Sequence, residues 1–284
     1  MSSTSATNRH LGYPDDARLL ILNADDFGMC HAINEGILRC ITQGVVRSTT
    51  LMVPCPWALH AMNQLRAHPE ITFGIHLTAI CDGVDYRWKP LTARDKVPSL
   101  VDETGYFYRF ERMADLFAQV ELAQLELEFR AQIETVLAAG LKPTHLDWHS
   151  LRLNARTEIP DLMFRLAREY GLALRMANAA MRAKVQQQGL PCVDYDFVDS
   201  YMLGTEDKAA RYVQMLRELP EGLSEWAVHP GLDDPELLTI EPEGNHFRQL
   251  DVDFLTSAEA REVLQQEGIT LLSYAPLQQV WQAR

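Results

Sequence analysis

Aspartate and histidine residues stand at four places in the chain where a short apolar run ends. They are Asp25 and Asp26 in NADDFG, His76 in GIHLT, the alternating His145, Asp147 and His149 in PTHLDWH, and His229 in VHP. Carboxylate and imidazole groups are ligands that divalent metal ions prefer in proteins. A divalent ion held by one carboxylate and two neutral imidazoles keeps a net charge of about +1, which lowers the pKa of bound water and polarises a carbonyl group. The pattern predicts a metal site that activates water.

Each position also has a purely structural interpretation. Asp25 or Asp26 could cap the N-terminus of the helix that follows, and His76 could be a core histidine with satisfied hydrogen bonds. The polar residues of PTHLDWH are harder to explain in this way, because alternate residues of a strand face the same side. Three polar side chains on one face of an apolar strand favour a functional role, and the coincidence of four such strand ends favours a metal site.

The two adjacent aspartates leave one question open. Neighbouring residues of a strand point in opposite directions unless the backbone bends. One of Asp25 and Asp26 could therefore be a ligand and the other a general base, and the spacing alone does not assign them.

The scaffold that brings these strand ends together follows from alternating patterns of strand and helix. Predicted strands span 18–23, 45–53, 71–77, 144–148, 172–175, 225–229 and 269–273, and predicted helices span 30–43, 57–68, 122–137, 160–170, 207–219 and 257–266. Strands that are apolar throughout are typical of a parallel sheet buried on both faces. About seven such units favour a TIM-like (β/α) barrel with seven strands or incomplete closure over an open doubly wound sheet. No G-x-G-x-x-G follows the first strand, so a dinucleotide-binding fold lacks its main support. Functional groups should then lie at the carboxyl ends of the strands.

Composition excludes several classes of protein. The 284 residues carry 26 Lys and Arg against 39 Asp and Glu, a formal net charge of −13, which argues against nucleic acid or an anionic membrane as partner. No apolar run approaches the roughly 20 residues of a membrane span. Residues 1–17 are polar and lack the apolar region of a secretory signal, so we expect a disordered leader, a single domain over 18–284 and a cytoplasmic location. The five cysteines are scattered and predict neither a disulfide framework nor a cysteine zinc site.

The combination of NADDFG, GIHLT and PTHLDWH resembles the YdjC-like carbohydrate deacetylases, which include chitooligosaccharide deacetylases and a hopanoid-associated branch. Further similarity lies in VRSTTLMV, GLALR, VHP and LDVDFLTSAEAREVL, so the resemblance covers about residues 18–274. It implies a (β/α) barrel related to polysaccharide deacetylases. It also implies hydrolysis of the N-acetyl group of an acetylated amino sugar, which gives acetate and a free amine, and a homodimer.

The resemblance implies a role for each matching residue. Asp26, His76 and His149 would be the metal ligands, Asp25 the general base and His229 the general acid. The residues expected to line the site or bind substrate are Arg175, His145, Asp147 and Trp148, of which Asp147 could instead orient a histidine. The cofactor would be one divalent ion, zinc or magnesium, with manganese, cobalt or nickel also compatible.

One departure from the family pattern concerns the substrate. Many members continue with further histidines after THxDxH, whereas Ser150 follows here, and Trp148 stands where a small residue is usual. The substrate could therefore be chito-oligosaccharide-like, a lipid-linked or non-sugar amide, or absent in a catalytically silent binding relative. Five of the aromatic residues in the irregular segment 81–112 could stack on a sugar or form a small core of their own; they are Tyr86, Trp88, Tyr106, Phe107 and Tyr108. Phosphate is disfavoured because no cluster of Arg or Lys lies near the motifs.

Overall fold

The computed structural model describes residues 6–284, and a parallel sheet of eight strands organises them. The strands are β1 (Arg18–Phe27), β2 (Ser48–Leu51), β3 (Phe73–Leu77), β4 (His145–Trp148), β5 (Ala173–Leu174), β6 (Val198–Asp199), β7 (Gly222–Val228) and β8 (Thr270–Leu272). Seven of them follow the order β5-β4-β3-β2-β1-β7-β6, and β8 pairs with β1. Every pair is parallel, as the apolar runs predict.

Helices connect the strands and cover the sheet. They are α1 (Ala6–His10), α2 (His31–Thr42), α3 (Ala58–Ala67), α4 (Met113–Gln119), α5 (Leu122–Ala138), α6 (Glu158–Tyr170), α7 (Ala179–Gln187), α8 (Lys208–Arg217), α9 (Pro235–Ile240), α10 (Gly244–Thr256), α11 (Ala258–Gln266) and α12 (Ala275–Gln282). Short 3₁₀ helices lie at Arg94–Lys96, Pro98–Leu100, Phe110–Arg112, Leu153–Ala155 and Ser200–Leu203. In this described part of the chain, no helix is both long enough and apolar enough to span a bilayer.

The sheet is strongly curled. In a flat sheet, β5 and β7 would lie five strand spacings apart, or about 24 Å. Arg175, which follows β5, nevertheless donates from Nε to Glu225 of β7 over 2.8 Å. The two ends of the sheet therefore face each other across a common interior.

Closure of the barrel is incomplete. Along one edge β1 pairs with β7, and along the other it pairs with β8 near its start and with β2 near its end. The terminal strands β5 and β6 do not pair with each other in residues 6–284. The predicted (β/α) barrel with incomplete closure is confirmed.

The expected disordered leader is wrong for the part that the structure describes. Residues 1–5 lie outside the described residues, but α1 begins at Ala6, and its Thr7 and Asn8 side chains are buried. Thr7 donates from Oγ1 to the carbonyl of Cys192 over 2.6 Å, and the Asn8 amide donates to the carbonyls of Pro14 and Ala17. Thr7 thus attaches the segment to the domain, and Asn8 holds the segment together internally.

Gly74 of β3 is required by the packing of His145 on the neighbouring strand. A Cβ atom at position 74 would lie 2.5 Å from His145 Cε1, and the same imidazole stacks on Tyr274 with ring centroids 3.7 Å apart. The imidazole is fully buried and has no room to move away. The glycine of GIHLT therefore reserves the space for this ring.

We expect Gly74→Ala to lower the free energy of unfolding by about 1–3 kcal/mol or more, because it overpacks a closed site. Urea denaturation followed by circular dichroism measures this change. Gly83→Ala is the matched control, since its Cβ would have its nearest neighbour 3.4 Å away and the expected change is within about 0.5 kcal/mol. Equal stability of the two variants would contradict this account of Gly74.

Candidate metal centre

A bend at the end of β1 turns two adjacent aspartates into the same interior. Asp26 has φ of 73°, in the left-handed region that aspartate tolerates better than most residues, and the register with β2 shifts between Ala24 and Phe27. Asp25 and Asp26 are 3% and 2% exposed, so both side chains are buried rather than one facing solvent. Neither caps helix α2, whose N-cap residue is Cys30, and the capping interpretation is therefore wrong.

Asp25 forms a bidentate ion pair with Arg175. The guanidinium donates to Oδ2 and Oδ1 over 2.7 and 2.8 Å, and the Asn23 amide donates to Oδ1 over 2.7 Å. Burial alone would raise the pKa of Asp25, but the charge of Arg175 and its hydrogen bonds hold that pKa well below the usual range. Asp25 is therefore kept as a carboxylate.

Asp26 is the point where three cationic or imidazole groups meet. Its Oδ2 accepts from Arg248 over 2.8 Å, while its Oδ1 lies 3.4 Å from His76 Nε2 and 3.2 Å from His149 Nδ1. Burial raises its pKa, but Arg248 and the two histidines lower it well below the ordinary value. One oxygen is thus neutralised by Arg248 and the other faces the two imidazoles.

The three predicted ligand atoms have the spacing of a metal site. The donor atoms of Asp26, His76 and His149 all lie within 4.8 Å of one another. A tetrahedral ion with bonds of about 2.0–2.1 Å sets its donor atoms about 3.3 Å apart, close to the 3.4 and 3.2 Å found here. The geometry therefore fits a divalent ion.

Two further carboxylates fix the orientation of the imidazoles. His76 Nδ1 is 2.7 Å from Asp147 Oδ1, and His149 Nε2 is 2.9 Å from Asp82 Oδ1. Each of these nitrogens carries the proton, because a carboxylate can only accept. When a metal ion takes the place of the second proton on each ring, His76 Nε2 and His149 Nδ1 are the atoms with a free lone pair on the Asp26 side, which is the tautomer pattern of metal-ligating histidines.

The charge of the buried cluster also fits a divalent ion. Among the fully buried groups, four carboxylates face two guanidiniums, an excess of two negative charges, and the partly exposed Asp82 and Glu241 add to the negative side; the fully buried residues are Asp25, Asp26, Asp147, Glu225, Arg175 and Arg248. Burial disfavours imidazolium, but nearby carboxylates raise the pKa of His76 to about 10 and that of His149 to about 9. Protonation of both rings would add two positive charges to the cluster, and a bound divalent ion would supply the same two charges in their place.

Another group of possible ligands, His31, Glu35 and His60, is less suited to a metal. Asn34 accepts at Oδ1 from the Gly28 amide, so its Nδ2 must donate to His60 Nδ1 over 3.0 Å. A neutral imidazole has one lone pair, and this bond uses it.

His229 follows β7 at the same end of the sheet. Its ring packs against Tyr201 with centroids 4.6 Å apart, and its charge contributes to the low pKa of Asp25. The sequence-predicted residues Asp25, Asp26, His76, His149 and His229 are thus brought together at the carboxyl ends of four strands.

Comparison with known proteins agrees with the motifs. A family model described as YdjC-like protein matches residues 19–266. The chain belongs to the YdjC-like family.

Curated YdjC-like relatives match over nearly their whole length. A carbohydrate deacetylase of Thermoanaerobacter pseudethanolicus is 31% identical over 92% of this chain and 99% of its own. A chitooligosaccharide deacetylase of Yersinia enterocolitica is 30% identical over 91% of this chain and 98% of its own. A crystal structure from Enterococcus faecalis V583, described as a candidate cellobiose-phosphate cleavage protein, is 30% identical, with a TM-score of 0.77 over 91% of this chain and 98% of that one.

Three of the four side chains expected to line the YdjC-like site or bind substrate are as deeply buried as its proposed metal ligands. His145 and Asp147 have no exposed surface and Arg175 is 1% exposed. Asp147 supports His76, in agreement with the alternative role, and Arg175 supports Asp25. Trp148 is 9% exposed and packs edge-on against Phe197 with ring centroids 5.9 Å apart.

The aromatic residues of segment 81–112 mainly form a small core. Trp88, Phe107 and Tyr108 are at most 3% exposed, and the Trp88 indole donates to the carbonyl of Ile80. Tyr86 and Tyr106 are partly exposed, as is Phe110, a sixth aromatic residue of the segment. The core interpretation is therefore favoured over a sugar-stacking surface for three of the five rings.

Sequence reasoning missed three residues of this site. Arg248 lies in α10, Glu225 lies within β7, and Asp82 follows β3 by five residues. Glu225 is the one charged residue in strand β7 and was a usable signal, and so was the aspartate just beyond GIHLT. Arg248 had no such signal.

Replacing Asp82 by asparagine is expected to weaken metal binding about 10- to 100-fold, because the amide cannot hold the His149 tautomer as firmly. Competition with a metal-chelating dye measures the dissociation constant. Asp85→Asn is the control, since Asp85 is an exposed carboxylate on the same loop. Identical metal affinity in both variants would show that Asp82 does not support His149.

Proposed function

We propose that this protein is a metal-dependent hydrolase that removes the N-acetyl group of an acetylated amino sugar and releases acetate and a free amine. The observation that carries the proposal is the group of Asp26, His76 and His149 with Asp25 beside it, 4.0 Å from His76 Nε2. The names of the curated relatives support the carbohydrate as substrate.

Asp26, His76 and His149 would hold one divalent ion, and two imidazoles with one carboxylate suit zinc by ligand type. Such an ion, when bound, polarises a carbonyl group and lowers the pKa of water. Magnesium, manganese, cobalt and nickel are the alternatives to zinc, and metal analysis of the purified protein distinguishes them.

Asp25 would be the general base and His229 the general acid. Asp25 is a buried carboxylate held in place by Arg175, so it can accept the proton of the attacking water. The amide nitrogen cannot leave as an anion, so it must gain a proton as the C–N bond breaks and takes that electron pair. His229, which follows strand β7 beside β1, would supply this proton.

The surroundings of the site argue against phosphate transfer as an alternative. Both buried guanidiniums near the aspartates are already paired, Arg175 with Asp25 and Arg248 with Asp26. A phosphate group needs cationic donors that are free to bind it.

The test is acetate release from N-acetylglucosamine and short chitooligosaccharides, each measured with a chelator and with added zinc or magnesium. We expect release that requires the metal and is lost with the chelator. Cellobiose phosphate, assayed for phosphate and glucose, is the comparison substrate. Metal-loaded protein that releases no acetate from any sugar would overturn the proposal.

A further inference from the structure

A second buried polar cluster lies behind His229, and Asp251 of α10 is its centre. Asp251 has no exposed surface. Its Oδ1 accepts from Tyr212 over 2.8 Å and forms an ion pair with Lys208 Nζ at 2.5 Å, and its Oδ2 accepts from the backbone N–H of His229 over 2.8 Å. All three of these partners donate, so Asp251 serves here as an acceptor of hydrogen bonds.

Ser200 joins this carboxylate to the His229 ring. Its Oγ lies 2.8 Å from Asp251 Oδ2 and 3.0 Å from His229 Nδ1. Two oxygens 2.8 Å apart need a hydrogen between them, and only the serine can supply it. The single hydroxyl proton of Ser200 therefore points to Asp251, and its oxygen accepts from His229.

This direction fixes the protonation of the ring. His229 must carry a proton on Nδ1, so Nε2 is the nitrogen left to exchange a proton elsewhere. Asp199 does not compete for Nδ1, because its Oδ1 is 3.7 Å away and beyond hydrogen-bond distance. The His229 ring also contacts an aromatic residue, since Tyr201 packs edge-on against the imidazole.

We propose that Ser200 and Asp251 are positioning residues that hold His229 in the Nδ1–H tautomer and leave Nε2 as its proton-exchanging atom. The chemical consequence rests on the proposed function. In the doubly protonated ring, the Nε2 proton passes to the leaving nitrogen as the C–N electron pair moves onto that nitrogen, and the neutral ring keeps Nδ1–H bonded to Ser200. The Nε2–H tautomer would instead leave Ser200 and His229 with facing lone pairs.

The tautomer can be read directly by NMR. Zinc-loaded protein labelled with ¹⁵N-histidine is examined in long-range ¹H–¹⁵N spectra at a pH where the His229 ring is neutral, with His229→Gln to assign its signals. We expect a protonated Nδ1 and an unprotonated Nε2. In Ser200→Ala the ring should shift toward Nε2–H, the form that neutral histidine prefers in water. Nε2–H in the wild type overturns the proposal, whether or not Ser200→Ala folds.

Kinetics give a second readout on any N-acetylated sugar that the wild type deacetylates. Ser200→Ala should lower kcat about 10- to 100-fold and leave KM nearly unchanged, because the acid is misdirected while binding is not. Ser48→Ala is the matched control, since the buried Ser48 hydroxyl has no hydrogen-bond partner in the described part of the chain. An unchanged kcat in Ser200→Ala contradicts the role. If the wild type deacetylates nothing, the proposed function fails, and the NMR result still decides the tautomer.

Discussion

Asp25→Asn is expected to lower acetate release by about 10²–10⁴-fold while the protein still binds one metal ion. Asparagine has the same shape as aspartate but cannot take a proton from water. Asp25 is not among the three proposed ligands, and Asp26, His76 and His149 are unchanged in the variant. Acetate release and metal content, measured on the same preparation, test both halves of this expectation.

The matched control for this variant is Glu225→Gln. Glu225 is also a fully buried carboxylate that accepts from Arg175, so its replacement disturbs the same guanidinium without removing the base. We expect the two variants to lose stability to a similar extent and only Asp25→Asn to lose turnover by the larger factor. Substantial turnover in metal-loaded Asp25→Asn would rule out Asp25 as the base.

His149→Ala is expected to abolish stoichiometric metal binding. The metal affinity should fall by more than the roughly 100-fold that follows the loss of a carboxylate supporting a ligating histidine. The change removes one of three ligand atoms and leaves Asp26 and His76 without the third donor. Metal analysis after dialysis against a defined free concentration measures the effect.

His31→Ala controls for the general effect of removing a histidine. It belongs to a separate group of possible ligands, with Glu35 and His60, in which Asn34 occupies the lone pair of His60. Metal content should equal that of the wild type. One retained equivalent in His149→Ala, or a loss in His31→Ala, would show that the metal lies elsewhere.

The main features of the site could be predicted because a parallel sheet aligns its carboxyl ends. Once the apolar runs are taken as parallel strands, Asp26, His76 and His149 must lie at one end of the sheet. Period-two alternation then puts Asp147 and His149 on the same face, and the structure agrees: one supports His76 and the other faces Asp26. These conclusions need only the direction of the strands and the alternation of side chains between the two faces of a strand.

Other features depend on contacts that no local pattern reveals. The bend that turns Asp25 and Asp26 into the same interior rests on one backbone angle at Asp26. Helix α10 was missed because buried Arg248 and Asp251 interrupt its apolar stripe, and two of their partners, Asp26 and the His229 amide, lie 222 and 22 residues away in sequence. Strand β6 has two residues, too few for any periodicity.

The most direct test of the central claim is a titration of metal-free protein with zinc, in which acetate release and bound metal are measured at each point. The account predicts that activity rises in proportion to occupancy and reaches its limit at one equivalent, and that Asp25→Asn binds the same equivalent without comparable activity. Full acetate release by metal-free protein, or activity that does not follow occupancy of this site, would contradict it.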